Sequence, residues 1–149
     1  MRYNHANRKK KSLIRRFVQE VQNQHELQRV GEFMDTQMID HFYDAQGMPQ
    51  PNDAVEAFKK FYSGMLAAFP DLTVTIHDII TEGEKVVTYK TFHGTHQGTF
   101  KGFPPSGRKI SVDVIDIFRL ENGKFVEHWA VVDWMSLMQQ IGAISQPEL

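Results

Sequence analysis

The chain of 149 residues contains no cysteine. Disulfides, thiolate zinc sites, iron–sulfur clusters and cysteine nucleophiles are excluded together, and a metal would have to rely on histidine and carboxylates alone. Long apolar runs are missing too. None approaches the ~20 residues of a membrane helix, and the N-terminus lacks the apolar stretch of a secretory signal. A soluble, cytoplasmic protein is the expectation, with no membrane partner. Gly-Lys-Ser/Thr is absent, so the glycines at 94, 98 and 102 do not form a phosphate loop. A Gly-x-Ser-x-Gly nucleophile elbow is absent as well.

Acidic residues are missing from the first 16 positions, which hold seven of the 17 basic ones: Arg2, Arg8, Lys9, Lys10, Lys11, Arg15 and Arg16. The other 133 residues carry 10 basic and 18 acidic groups. Such a start suits nucleic acid or an anionic surface. The plainer reading is a solvated start to the first helix. It is preferred because no aromatic stands between Arg8 and Arg16 and the acidic body repels phosphate backbones. Nucleic acid is not an expected partner.

What is present reads as one globular domain: 41% hydrophobic and 23% charged residues, with 11 phenylalanines to line a cavity. Leu13, Ile14, Phe17, Val18 and Val21 recur at helical spacing and predict a helix from about Ser12 to Gln22. Leu27, Val30, Phe33 and Met34 suggest a second. Residues 44–51 form a breaker-rich loop. Asp53 and Glu56 resemble a capping box, ahead of a stripe of Val55, Phe58, Tyr62, Met65, Leu66 and Phe69 that Pro70 ends. The period then changes to two. Strands are predicted over 72–77, 86–95, 110–120 and 125–132, with Asn122-Gly123 as a tight hairpin turn. Asp133 stands where an N-cap belongs before Leu137, Met138 and Ile141. Helices, then antiparallel strands, then a short helix argue an α+β fold. A curved sheet wraps a long amphipathic helix into a cone with a pocket.

If Asn122-Gly123 is a two-residue loop, residues whose numbers sum to 245 face each other. Asp116 then lies opposite Trp129, and Phe118 opposite Glu127. Asp116 is the one charge in the row Ile110, Val112, Val114, Asp116, Phe118, Leu120. A carboxylate on an apolar face has a raised pKa and can serve as general acid or base. A nearby donor would make it structural instead, and a bulge would change the register. His93 and His96 face opposite sides of a strand, so no metal site is expected.

The stretch His93-Gly-Thr-His-Gln-Gly-Thr-Phe-Lys-Gly-Phe-Pro-Pro-Ser-Gly-Arg108 resembles a signature of the SnoaL-like polyketide cyclases, or ester cyclases. So do Ile115 to Arg119, Asn122 to Trp129, Asp133, and Leu137-Met-Gln-Gln-Ile-Gly142. The resemblance implies the nuclear transport factor 2-like cone, with residues 1–11 as a basic extension and 12–149 as a single SnoaL-like domain. It also implies a homodimer formed through the sheet. The implied activity is an intramolecular aldol condensation with no metal or cofactor, and that reaction needs a positioned carboxylate. The family's catalytic Asp falls on Ala130 here, and its assisting His falls on Asp116. In the strict register Ala130 and Asp116 point to opposite faces, so exchanging the acid/base between them needs a bulge.

Two functions follow. The first is a cofactor-free cyclase or isomerase acting on a small apolar carbonyl compound. Asp116 and His128 are its candidate catalytic residues, and His41, Phe58, Tyr62, Met65, Phe118, Trp129 and Asp133 its candidate pocket. The second, motivated by Ala130, is a non-catalytic protein that holds a small apolar ligand.

Overall fold

The computed structural model describes residues 2–145, with side chains from residue 4. The expected domain's last residues, 146–149, and Met1 lie outside the described part. Helix α1 spans Arg2–Arg16 and runs on as a π-helical stretch, Phe17–Asn23. The helix thus starts inside the basic segment rather than after it. Lys10 meets the Gly83 carbonyl and the Glu84 carboxylate, which seats this part of α1 on the hairpin below.

A 3-10 turn covers Leu27–Glu32, and strand β1 follows at Met34–Asp40. The expected second helix forms only as this 3-10 turn: Phe33 lies past its end, and Met34, its expected last residue, opens a strand. Next come α2 (His41–Ala45), α3 (Ala54–Ala68), β2 (Thr73–Glu82), β3 (Lys85–Thr95), β4 (Lys109–Glu121), β5 (Lys124–Val132) and α4 (Trp134–Gln140). Asp53 caps α3 by accepting from Glu56 N, as the capping box predicts.

The sheet order is β1-β5-β4-β3-β2. All neighbours are antiparallel except β1 and β5, which run parallel. This is an α+β cone of the nuclear transport factor 2-like kind. Its sheet curls around α3 and the end of α1. The core gathers on Phe17, whose ring lies 5.1–6.3 Å from those of Phe33, Phe58, Phe118 and Phe125. Such edge-on and tilted contacts add to the burial of large apolar area. A second cluster packs Tyr62, Phe69, Leu72, Phe100, Ile110, Val112 and Leu137.

The hairpin turn is the predicted one: Asn122 and Gly123 have φ of 51° and 73°, and Glu121 pairs with Lys124. The register beyond it is not. Leu120 faces Phe125, but Arg119 faces Glu127, so Val126 is an extra residue on β5. This bulge shifts every later pair by one, so that their numbers sum to 246 rather than 245.

Candidate active site

The bulge decides which side chains meet. Past Val126, Asp116 pairs with Ala130 and Phe118 with His128. Paired residues share a face of the sheet. Asp116, His128 and Ala130 therefore all line the cavity enclosed by the cone. Lys90 joins them from β3, level with Val114, and Asp40 from the end of β1, level with His128. Around this polar group the wall is apolar: Phe58, Tyr62 and Met65 from α3, Val112, Val114 and Phe118 from β4, and Leu137 from α4. Tyr43, Phe61 and Trp134 are further aromatics on the lining, Phe61 exposed and the other two partly so.

Four charges of alternating sign form one chain. The Lys90 ammonium contacts Asp116 Oδ2. His128 donates from Nε2 to Asp116 Oδ1 at 3.0 Å and from Nδ1 to Asp40 Oδ1 at 2.8 Å. Asp40 Oδ1 also accepts from Phe42 N and so caps α2. Lys90 is 1% exposed and Asp116 4%. The ammonium lies 5.8 and 5.7 Å from the ring centres of Phe92 and Phe118, a further attraction for a buried cation.

Burial alone would raise the Asp116 pKa, as the sequence suggested. The Lys90 charge and the His128 hydrogen bond outweigh it and hold the carboxyl below the usual carboxylate range. The expected raised pKa is thus overturned. Burial would likewise lower His128, but the hydrogen bonds to Asp116 and Asp40 win and raise it to about 9. At neutral pH Asp116 is therefore an anion and His128 a cation. Burial pushes the Tyr62 phenol up, so it stays neutral.

The sequence matches the family model for SnoaL-like polyketide cyclase over residues 12–141. The chain belongs to the SnoaL-like polyketide cyclase family. A stretch of 60 residues is 30% identical to nogalonic acid methyl ester cyclase of Streptomyces nogalater; it spans 40% of this chain and less than half of that relative, 45%. Among solved structures, TsrD from Streptomyces laurentii is 28% identical at a TM-score of 0.78, over 91% of this chain and 96% of that one. IdmH from Streptomyces antibioticus is 27% identical at 0.75, over 89% and 97%. A SnoaL-like polyketide cyclase from Agrobacterium tumefaciens, 16% identical at 0.66 over 84% and 92%, shares the fold.

Within this SnoaL-like frame the expected residues separate. Asp116, His128, Phe58, Tyr62, Met65 and Phe118 come together on the lining. Trp129, His41 and Asp133 do not. The bulge turns Trp129 to the outer face opposite Ile117, where it stacks on His41 at 4.9 Å. His41 is held there by donating to Glu127 (2.7 Å) and Asp44 (3.2 Å). The hydrogen bond to Glu127 leads the causes that raise the His41 pKa. Asp133 is exposed and caps α4 by accepting from Ser136 N.

The strict register's separation of Ala130 from Asp116 is also overturned, since the two are cross-strand partners. Sequence reasoning missed Lys90 and Asp40. Lys90 had a signal: it is the one charge in phase with Val86, Thr88 and Phe92 on a β-branched strand.

Proposed function

We propose that this protein is a cofactor-free acid–base enzyme of the cyclase type, acting on a small, largely apolar carbonyl compound bound in the cone. One observation carries the reading: the charged groups on a largely apolar lining form a connected Lys90–Asp116–His128–Asp40 chain, with Asp116 across from the alanine at the family's acid position. A carbon acid beside a ligand carbonyl gives its proton to Asp116. The electron pair becomes an enolate, whose oxygen is met by the cations. Lys90 carries three N–H groups, and Asp116 is its polar partner among the described residues, so two remain for a ligand oxygen. The enolate carbon bonds to a second carbonyl of the same molecule, and that carbonyl's oxygen takes the proton back from Asp116. Nothing enters or leaves, so the product is an isomer of the substrate.

In the free protein Asp116 is too acidic to be a strong base. The enolate draws Lys90 and His128 to itself as it forms, and Asp116 regains basicity as they are shared. Preorganised cations at the developing charge are the larger part of such catalysis. The test is turnover of β-dicarbonyl compounds, starting with nogalonic acid methyl ester, the compound in the relative's name, followed by chromatography and mass. Asp116→Asn is expected to lower kcat about 100-fold or more. Turnover equal to wild type would sink the assignment.

Ala130 and the full pairing of Asp116 favour a second reading, a protein that holds the same class of ligand without changing it. Saturable binding with no product in any member of the panel would decide for it. We further infer a homodimer in which a second copy covers the outer face of the sheet.

A further inference from the structure

Among the described residues, two buried side-chain polar atoms have no hydrogen-bond partner: Gln22 Oε1 and His96 Nε2. The His96 ring packs on Phe69 at 5.6 Å, away from the cavity lining. Gln22 is on that lining and is 4% exposed. A buried amide oxygen on a residue that shares the lining with Phe17, Tyr62 and Leu72 carries its desolvation cost with nothing in return from the protein.

The backbone that carries Gln22 is held in place. Gln22 sits in the π-helical stretch Phe17–Asn23, a kind of distortion that recurs at functional sites. Its own carbonyl accepts from the Tyr62 hydroxyl at 3.2 Å. The adjacent Asn23 clasps the Val74 backbone twice, at 2.6 and 3.1 Å. That clasp also sets the level of Gln22 in the cone. Val74 pairs with Phe92 and Phe92 with Val112. Asp116 lies four residues further along β4, on the order of 13 Å along the strand. The lining between them is apolar, with Val112 and Val114 on β4 itself.

We propose that Gln22 is a ligand-anchoring residue that selects substrates bearing a hydroxyl at the end remote from the reacting carbonyl. The inference rests on the cavity being the substrate site. A hydroxyl both donates and accepts, so it satisfies the amide whichever of its two orientations faces the cavity. A site built around such a contact discriminates against the ligand that lacks it, because the buried group is left unpaired.

The probes are 6-acetyl-2-naphthol and its deoxy partner, 2-acetylnaphthalene, titrated against the full chain. Wild type is expected to bind the naphthol about tenfold more tightly. Gln22→Met, which keeps the length and drops the amide, is expected to abolish that preference while the melting temperature holds or rises. A preference that survives in Gln22→Met, or none in wild type, overturns the inference. A lower melting temperature for the ligand-free variant does too, since the amide would then serve the fold. Binding of neither naphthalene overturns it together with the cavity reading. Asp116→Asn separates the two claims: full turnover there removes the catalytic assignment and leaves the Gln22 preference standing.

Discussion

His128 sits between two carboxylates, and its protonation state sets the charge of the whole buried chain. With the imidazolium present the four groups sum to zero; without it a net negative charge stays buried. Its pKa is raised from 6.5 to about 9 in the fold. Its contribution to stability is therefore complete below 6.5 and is lost as pH rises through 9. Asp116 works in the opposite sense. Its pKa falls below 3.8 in the fold, so its contribution is complete above that value and is lost as pH drops further. Stability from this pair is expected to plateau between roughly pH 4 and 6.5. Melting curves from pH 6 to 10 check the alkaline side. Wild type should lose stability through that range, and His128→Gln should show a flatter slope between pH 7 and 9. Parallel curves would remove His128 as the source. The same titration predicts activity that falls above pH 9, because the neutral imidazole no longer faces the enolate as a cation.

At the scale of elements, one glycine shows why the loop from His93 to Arg108 has its sequence. Gln97 N and Gly98 N both donate to the Ala68 carbonyl, each at 3.0 Å, and so close the end of α3. A Cβ on Gly98 would stand 2.0 Å from the Ala67 carbonyl oxygen. That neighbour is backbone and does not yield. Gly98→Ala is expected to cost about 2 kcal/mol, or roughly 4–8 °C in Tm for a domain of this size. A Tm within a degree of wild type would contradict the close approach.

The same scale explains what could be read in advance. The α3 stripe, the strands of period two and the Asn122-Gly123 turn are local signals, and each element formed where they stood. Strand β1 carries no such signal. Its buried residues, Met34 and Met38, stand four apart, a spacing that suits a helix as well as a strand, and Thr36 between them is exposed. The Val126 bulge is silent too. Phe125-Val126-Glu127 holds no glycine to announce it, yet it alone exchanges Trp129 for His128 and Ala130 in the cavity. Asp116 was legible as a lone charge on an apolar row. Its depressed pKa was not, because Lys90 and His128 reach it across strands whose register the sequence left open.

For the whole molecule, the face of the sheet turned away from the cavity poses the remaining question. Tyr89 pairs with Ile115, and Ile115 with Val131, so three apolar side chains form a row across β3, β4 and β5. They are 40%, 51% and 76% exposed, and Ile80 is 56% exposed. Strands alternate their faces, and a sheet that buries one side normally presents polar groups on the other. A contiguous apolar row is what a covered surface looks like. A second copy is the proposed cover, since a two-fold axis lets the same row pack on itself. Val131→Glu places a charge at the most exposed point of the row without touching the cavity. Sedimentation is expected to find wild type as a dimer at micromolar concentration and Val131→Glu as a monomer with an unchanged far-ultraviolet spectrum. A wild-type monomer under those conditions would leave the row without this partner. Retained dimer in the variant would place the contact elsewhere on the molecule.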